Sequence, residues 1–161
     1  MKTIKRKEFV MRLNWVKVIP ETYTAMKAME SFLERSKLET KLKELVKLRT
    51  SQINCSEYCV ELHKKEVLAS GESSERIESL ADWRNSFLYT PRERAALNWC
   101  ESLTLIAQSG APDAIYEEVE RLFTPEEIVE LTFVIITMNA WNRLSVGFRT
   151  EVGNYALPRY R

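Results

Sequence analysis

The sequence predicts an all-α fold of about six or seven helices, and three observations carry that expectation. Thr90-Pro91-Arg92-Glu93 and Thr124-Pro125-Glu126-Glu127 each set a capping hydroxyl, an N1 proline and an N3 glutamate in register, the signature of a helix start. Only 4 glycines and 5 prolines punctuate the chain, too few for the many turns of a sandwich or barrel. Apolar residues recur at helical spacing through most of what remains. A length of 161 residues with 45% hydrophobic content predicts one domain over 1–161, with a core that needs no disulfides.

The first helix is expected from Pro20 to about Arg35, on the recurrence of Tyr23, Met26, Met29, Phe32 and Leu33. A second is expected from about Lys37 to Ser51. Leu38, Leu42, Leu45 and Arg49 run along its stripe, with Val46 and Leu48 at the flanks and Glu44 at the edge. Asn54 followed by Glu57 reads as an N-cap with its N3 acidic partner, opening a third helix that carries Cys55, Cys59, Val60 and His63 and stops near Gly71. Ser73 or Ser74 opens a shorter helix through Ile77, Leu80 and Trp83, and Asn85 to Tyr89 reads as a loop. The Thr90 start should run to about Ser109, ahead of Gly110, and a helix from about Pro112 to Leu122 should follow. The Thr124 start opens a long apolar helix from Ile128 to Phe148. It nears membrane-spanning length, but Glu130, Asn139, Asn142 and Arg143 interrupt it, so a core or subunit-interface helix is expected.

Charge and composition exclude several function classes. Lys plus Arg total 24 against 23 Asp plus Glu, so no global field favours nucleic acid or an anionic membrane. The basic N-terminus lacks the apolar run of a secretory signal, and three cysteines do not make a disulfide framework; both point to the cytoplasm. No glycine-rich phosphate loop, HExxH or paired CxxC elements occur, and no cofactor is expected.

The chemistry-bearing residues converge on the third helix. His63, the single histidine, follows Cys59 by four residues, which sets the two on adjacent turns of one face. Helical side chains lean toward the N-terminus, so the imidazole should tip over the sulfur. A nearby imidazolium favours the thiolate, the nucleophilic form, and Glu44 on the preceding helix could orient the ring. The same spacing also suits ordinary core packing. Zinc binding by Cys55, Cys59 and His63 is disfavoured, because eight residues of helix span about 12 Å while a zinc ion gathers ligands within ~2.3 Å. On one helix Cys55 and Cys59 would hold their Cβ atoms ~5–6 Å apart, wider than the roughly 3.5–4.5 Å of a disulfide, so bridging would need the first turn to loosen. Cys100, beside Trp99 in an apolar helix, reads as core. Trp15, Tyr58, Phe87, Trp99 and Trp141 could line an apolar pocket over Cys59, Tyr58 being its neighbour in sequence.

The run Leu48-Arg49-Thr50-Ser51-Gln52-Ile53-Asn54, followed by Tyr58-Cys59 and His63, resembles the core motif of the AhpD-like alkylhydroperoxidase/carboxymuconolactone decarboxylase family. The likeness extends through Gly71-Glu72, Trp83-Arg84, Glu93 to Leu97 and Asn139 to Arg143. It implies an oligomeric helical fold, a dimer, trimer or hexamer, with Glu44, Cys59 and His63 at the catalytic positions. It also implies an antioxidant peroxidase in which the second cysteine of a CxxC becomes a sulfenic acid and the first resolves it. Here Ser56 holds the first-cysteine position and Cys55 stands one residue earlier, so resolution would fall to Cys55 or to an external thiol.

The expected function is therefore reduction of an organic hydroperoxide at Cys59, with a Glu44/His63 proton relay and a thiol or dithiol reductant, a lipoyl-type donor among them. Two alternatives stand beside it: acid–base chemistry of the decarboxylase kind without redox turnover, and a non-catalytic redox-sensing or oligomeric module.

Overall fold

The computed structural model describes residues 10–153, which form helices joined by short loops, with no strand among them. The helices are α1 (Trp15–Val18), α2 (Pro20–Glu34), α3 (Thr40–Ile53), α4 (Glu57–Ala69), α5 (Ser74–Ser79), a 3-10 helix (Leu80–Asn85), α6 (Pro91–Thr104), α7 (Ile106–Ser109), α8 (Asp113–Glu120) and α9 (Pro125–Phe148). The all-α expectation holds, with more and shorter segments than the six or seven expected.

Both capping boxes form as read. The Thr90 and Thr124 hydroxyls accept from the N3 amides of Glu93 and Glu127, whose carboxylates reach back to the cap amides. Ser73 caps α5 by accepting from the Arg76 amide. The departures have tertiary causes that local pattern does not announce. The second helix begins at Thr40 rather than Lys37, because Glu130 of α9 accepts from the Ser36 hydroxyl at 2.9 Å and the Lys37 amide at 3.1 Å, pinning a turn there. The helix from Thr90 ends at Thr104; Leu105 leaves helical geometry at φ −100°, ψ 30°, and a separate short helix carries the chain on to Ser109. The helix opened by Ser73 tightens to 3-10 form and kinks at Asp82.

The junction of α3 and α4 is the correction that matters most for function. Asn54 is not an N-cap but the C-cap of α3, its amide donating to the Thr50 carbonyl at 3.1 Å. Its side chain is committed elsewhere, donating to Asn139 and Asn142 on α9 at 3.0 Å each. Cys55 then turns the chain in the left-handed region at φ 52°, and Ser56 becomes the N-cap of α4. Cys55 therefore stands outside the helix that it was expected to begin.

Helix α3 lies at the centre, packed on α4, α6 and α9. Leu42 and Val46 join one core cluster with Ala96, Trp99, Leu131 and Val134, and Leu45 and Leu48 join a second with Val67, Leu80, Trp83 and Leu97. Truncating any of these buried leucines to alanine would cost roughly 2–5 kcal/mol. Arg49, expected on the apolar stripe, is instead held by an ion pair to Glu101 at 2.6 Å. Trp83 donates to the same carboxylate at 2.8 Å and Arg84 pairs with it, so four residues lock α3, α6 and the 3-10 helix together.

Polar residues that interrupt α9 are all engaged. Asn139 donates to Thr104, Asn142 donates to Ser51, and Arg143 donates back to Asn139. Burying such groups costs stability unless they are paired, and here the pairing fixes the α3–α4 junction against α9. No helix among the described residues is long and apolar enough to cross a membrane.

Candidate active site

The site is built where α3, α4 and α9 meet, with α1 and α2 closing one side. A cavity of about 870 Å³ opens there, lined among others by Trp15, Glu30, Glu44, Lys47, Tyr58, Cys59, Leu62, His63, Met138, Trp141 and Ser145. Three of the residues expected to carry chemistry, Glu44, Cys59 and His63, share this cavity and are all buried.

With Ser56 as N-cap, Cys59 occupies the third position of α4. That is the turn whose amides lack helical acceptors and whose positive end favours an anion. Its sulfur lies 3.5 Å from the Ser145 hydroxyl of α9. His63, one turn on, points its Nδ1 at Glu44 Oε2, 3.2 Å away on α3. The ring's Nδ1 is engaged by the carboxylate, and Ser145 is the hydrogen-bond neighbour of the thiol. Glu44 as donor of ring orientation is what the helix pattern suggested, and its position is now explicit.

Glu44 is more than a partner of His63. Its second oxygen receives Lys47 Nζ at 3.0 Å, and Lys47 lies 3.5 Å from Glu30, which in turn accepts the Trp141 indole N–H at 3.0 Å. Burial works against the charge on Glu44, but the His63 hydrogen bond and the Lys47 ammonium outweigh it and bring its pKa down to about 2. For Lys47, burial again opposes the charge, and Glu44 and Glu30 reverse that to raise its pKa. Glu30, Lys47 and Ser145 went unrecognised in the sequence. Lys47 follows Glu44 by three residues, a spacing that could have flagged the pair, whereas Glu30 and Ser145 come from distant segments with no local signal.

The remaining candidates separate. Cys55 is exposed, its sulfur near its own loop at 3.9 Å from the Ile53 carbonyl, and it lines a smaller cavity of about 300 Å³ that shares Tyr58 and Ser145 with the main one. Ser56 is buried, and its hydroxyl has no hydrogen-bond partner among the described residues. Because Cys55 has left the helix, the regular four-residue spacing assumed for the Cys55–Cys59 pair does not apply. Cys100 is core as read, hydrogen-bonded to Thr50 at 3.1 Å, and burial pushes its thiol up to about 11. Of the aromatics, Trp15, Tyr58 and Trp141 line the cavity, with Trp15, Tyr23 and Trp141 in mutual ring contact at 6.0–6.2 Å. Phe87 is wholly exposed, and Trp99 packs on Tyr116 in the core, so neither belongs to it.

Glu44, His63 and Glu66 bring ligand-type atoms within 4.8 Å of one another. A cation there would compete with Lys47, which already balances the Glu44 charge.

A helical fold with a buried thiol, imidazole and carboxylate around one cavity defines the class. The chain belongs to the carboxymuconolactone decarboxylase family, whose model matches residues 20–102. It is 33% identical over 148 residues to the uncharacterized Bacillus subtilis protein YdfG, covering 92% of this chain and 98% of that one. Among solved structures it is similar to the Agrobacterium tumefaciens protein ATU0492, of unknown function and suggested to be an antioxidant defence protein AhpD. That match has 41% identity and a TM-score of 0.87, and covers 89% of this chain and 98% of the other. The debrominase Bmp8 shares the fold at 15% identity and a TM-score of 0.75, over 86% of this chain and 75% of its own.

Proposed function

We propose that the protein is a thiol peroxidase that reduces organic hydroperoxides at Cys59. The observation that carries this reading is the convergence of Cys59, His63 and Glu44 on one largely apolar cavity, with Cys59 in the first turn of α4. The Cys59 thiolate attacks the terminal peroxide oxygen; the O–O bond breaks, an S–O bond forms, and the departing alkoxide takes a proton to leave as alcohol. Cys59 and His63 line the same cavity, so a peroxide bound there would come within reach of both. Glu44 accepts from Nδ1, leaving Nε2 as the ring atom that takes the thiol proton and returns it to the alkoxide.

A donor thiol then condenses with the sulfenic acid, releasing water and leaving a mixed disulfide, and a second thiol frees Cys59 while forming the donor disulfide. A dithiol, lipoyl-type or otherwise, supplies both. The exposed position of Cys55 favours an external donor, with Cys55 as a secondary route if the α3–α4 junction rearranges. The exposed apolar side chains Phe32, Val129 and Ile136 support assembly of the 161-residue unit into a homo-oligomer. Peroxide consumption with a dithiol donor tests the reading: wild type turns over, Cys59→Ser does not, and Cys55→Ser retains turnover with an external donor.

One observation favours a second reading, acid–base chemistry at Glu44 and His63 without redox turnover. Ser56 stands buried where the family pattern has its first cysteine, so the helix holds no built-in resolving thiol. Activity that survives Cys59→Ser and is lost in His63→Ala would select it.

A further inference from the structure

Behind the Glu44–His63 pair runs a continuous polar chain through three more side chains. Lys47 reaches Glu44 at 3.0 Å and Glu30 at 3.5 Å, and Glu30 accepts from Trp141 at 3.0 Å. Glu30, Glu44 and Trp141 are each less than one-tenth exposed, and side-chain exposure of Lys47 is only 12%. Nothing in core packing calls for two carboxylates and an ammonium here. Burying such groups is costly unless their geometry is well satisfied, and an apolar replacement would often serve stability as well or better. The chain also has an order. It starts on Trp141, a wall of the cavity, and ends on His63, the ring that faces the reacting sulfur's pocket.

We propose that Lys47 and Glu30 are positioning residues that fix the Glu44 carboxylate and, through it, the ring orientation and tautomer of His63, with Trp141 anchoring the chain to the cavity wall. Lys47 occupies Oε1 of Glu44, so Oε2 alone is left to face His63, and a single acceptor at Nδ1 selects the Nδ1–H form of the neutral ring. Glu30 holds the same ammonium at 3.5 Å, which fixes Lys47 against Glu44. Two acids and one cation leave this chain with a formal charge of −1 before His63 is counted, and the exposed carboxylate of Glu66, within 4.8 Å of the ring, adds a solvent-screened negative charge beside it. Such a preformed counter-charge is how a fixed environment favours a transient cation. Lys47 and Glu30 share the cavity lining with Cys59, and the contact that ties them to His63 runs through Glu44.

His63 is the sole histidine of the chain, so its imidazole can be read by nitrogen NMR without assignment. The test compares wild type with Lys47→Met, Lys47→Arg and Glu30→Gln at a pH where the ring is neutral. Wild type and Lys47→Arg should show the Nδ1–H tautomer as the dominant form. Lys47→Met should show a clear rise in the Nε2–H form, and Glu30→Gln a smaller rise in the same direction. Turnover, where the proposed peroxidase reading holds, should fall roughly tenfold in kcat for Lys47→Met with KM little changed, the pattern of lost proton-transfer geometry rather than lost binding. A wild-type tautomer in both folded Lys47→Met and Glu30→Gln overturns the proposal, and if Lys47→Met does not fold, Glu30→Gln alone decides it. The tautomer readout needs no peroxide: a shifted tautomer in a protein without peroxidase activity defeats the reading of function and leaves this one standing.

Discussion

Cys59 Sγ on α4 and Ser145 Oγ on α9 lie 3.5 Å apart inside the core, although 86 residues separate them in sequence. A hydroxyl at that distance can donate to the thiolate, and hydrogen bonds to charged groups are worth about 1.5–3 kcal/mol. Ser145→Ala should therefore slow sulfenic acid formation at neutral pH by roughly tenfold or more, measured as the stopped-flow rate of Cys59 oxidation under excess organic hydroperoxide. An unchanged rate would remove Ser145 from the site.

Acid stability should depend on Glu44. Its pKa in the folded protein, about 2, lies below the ordinary 4.5, so its ionised form stabilises the fold fully above pH 4.5. That contribution is lost as pH falls from there toward 2, because the unfolded chain takes up the proton first. The loss is roughly 3 kcal/mol by linkage. Urea unfolding at a series of pH values should show the wild type weakening through this window and Glu44→Gln, less stable at neutral pH, changing less.

Cys55 combines a left-handed backbone with exposure, and both are testable. Glycine adopts φ 52° without the steric cost of a β-carbon, so Cys55→Gly should leave stability unchanged or raise it by up to about 1 kcal/mol. The same change should remove the exposed thiol from an alkylation time course, leaving Cys59, reached through the cavity, as the reactive thiol and the buried Cys100 to react slowly.

The Arg49–Glu101 pair should prove structural. Its carboxylate also serves Trp83 and Arg84, so Glu101→Ala leaves the buried Trp83 indole and the part-buried Arg49 without their acceptor. A loss of about 1–3 kcal/mol in denaturant unfolding is expected, the cost of leaving a buried donor unsatisfied in a part-buried network. The cavity residues are left in place, so activity per folded molecule should be retained.

Much of the fold was legible because its signals are local. The Thr90 and Thr124 capping boxes, the Ser73 cap and the Pro20 start all depend on residues within one turn, and all stand where the pattern puts them. Asn54 was misread because an N-cap and a C-cap look alike in sequence; what decides is that Asn139 and Asn142, more than eighty residues away, engage its side chain. The same holds for Lys37, where Glu130 sets the turn, and for the break at Leu105. At the site, Cys59 and His63 were visible through helical spacing and family resemblance, and Glu44 through resemblance. Ser145 and Glu30 are brought in by the packing of α9 and α2, which no periodicity specifies. Helical spacing put His63 one turn from Cys59, and the hydrogen bond of its ring goes to Glu44 on the preceding helix, the carboxylate expected to orient it.

The most direct test is to expose the reduced protein to one equivalent of an organic hydroperoxide, trap sulfenic acid with a dimedone reagent, and locate the adduct by peptide mass spectrometry. The adduct should form on Cys59, should be absent from Cys100, and should vanish in Cys59→Ser. An adduct confined to Cys55, or hydroperoxide consumption that is undiminished in Cys59→Ser, would contradict a peroxidatic role for Cys59.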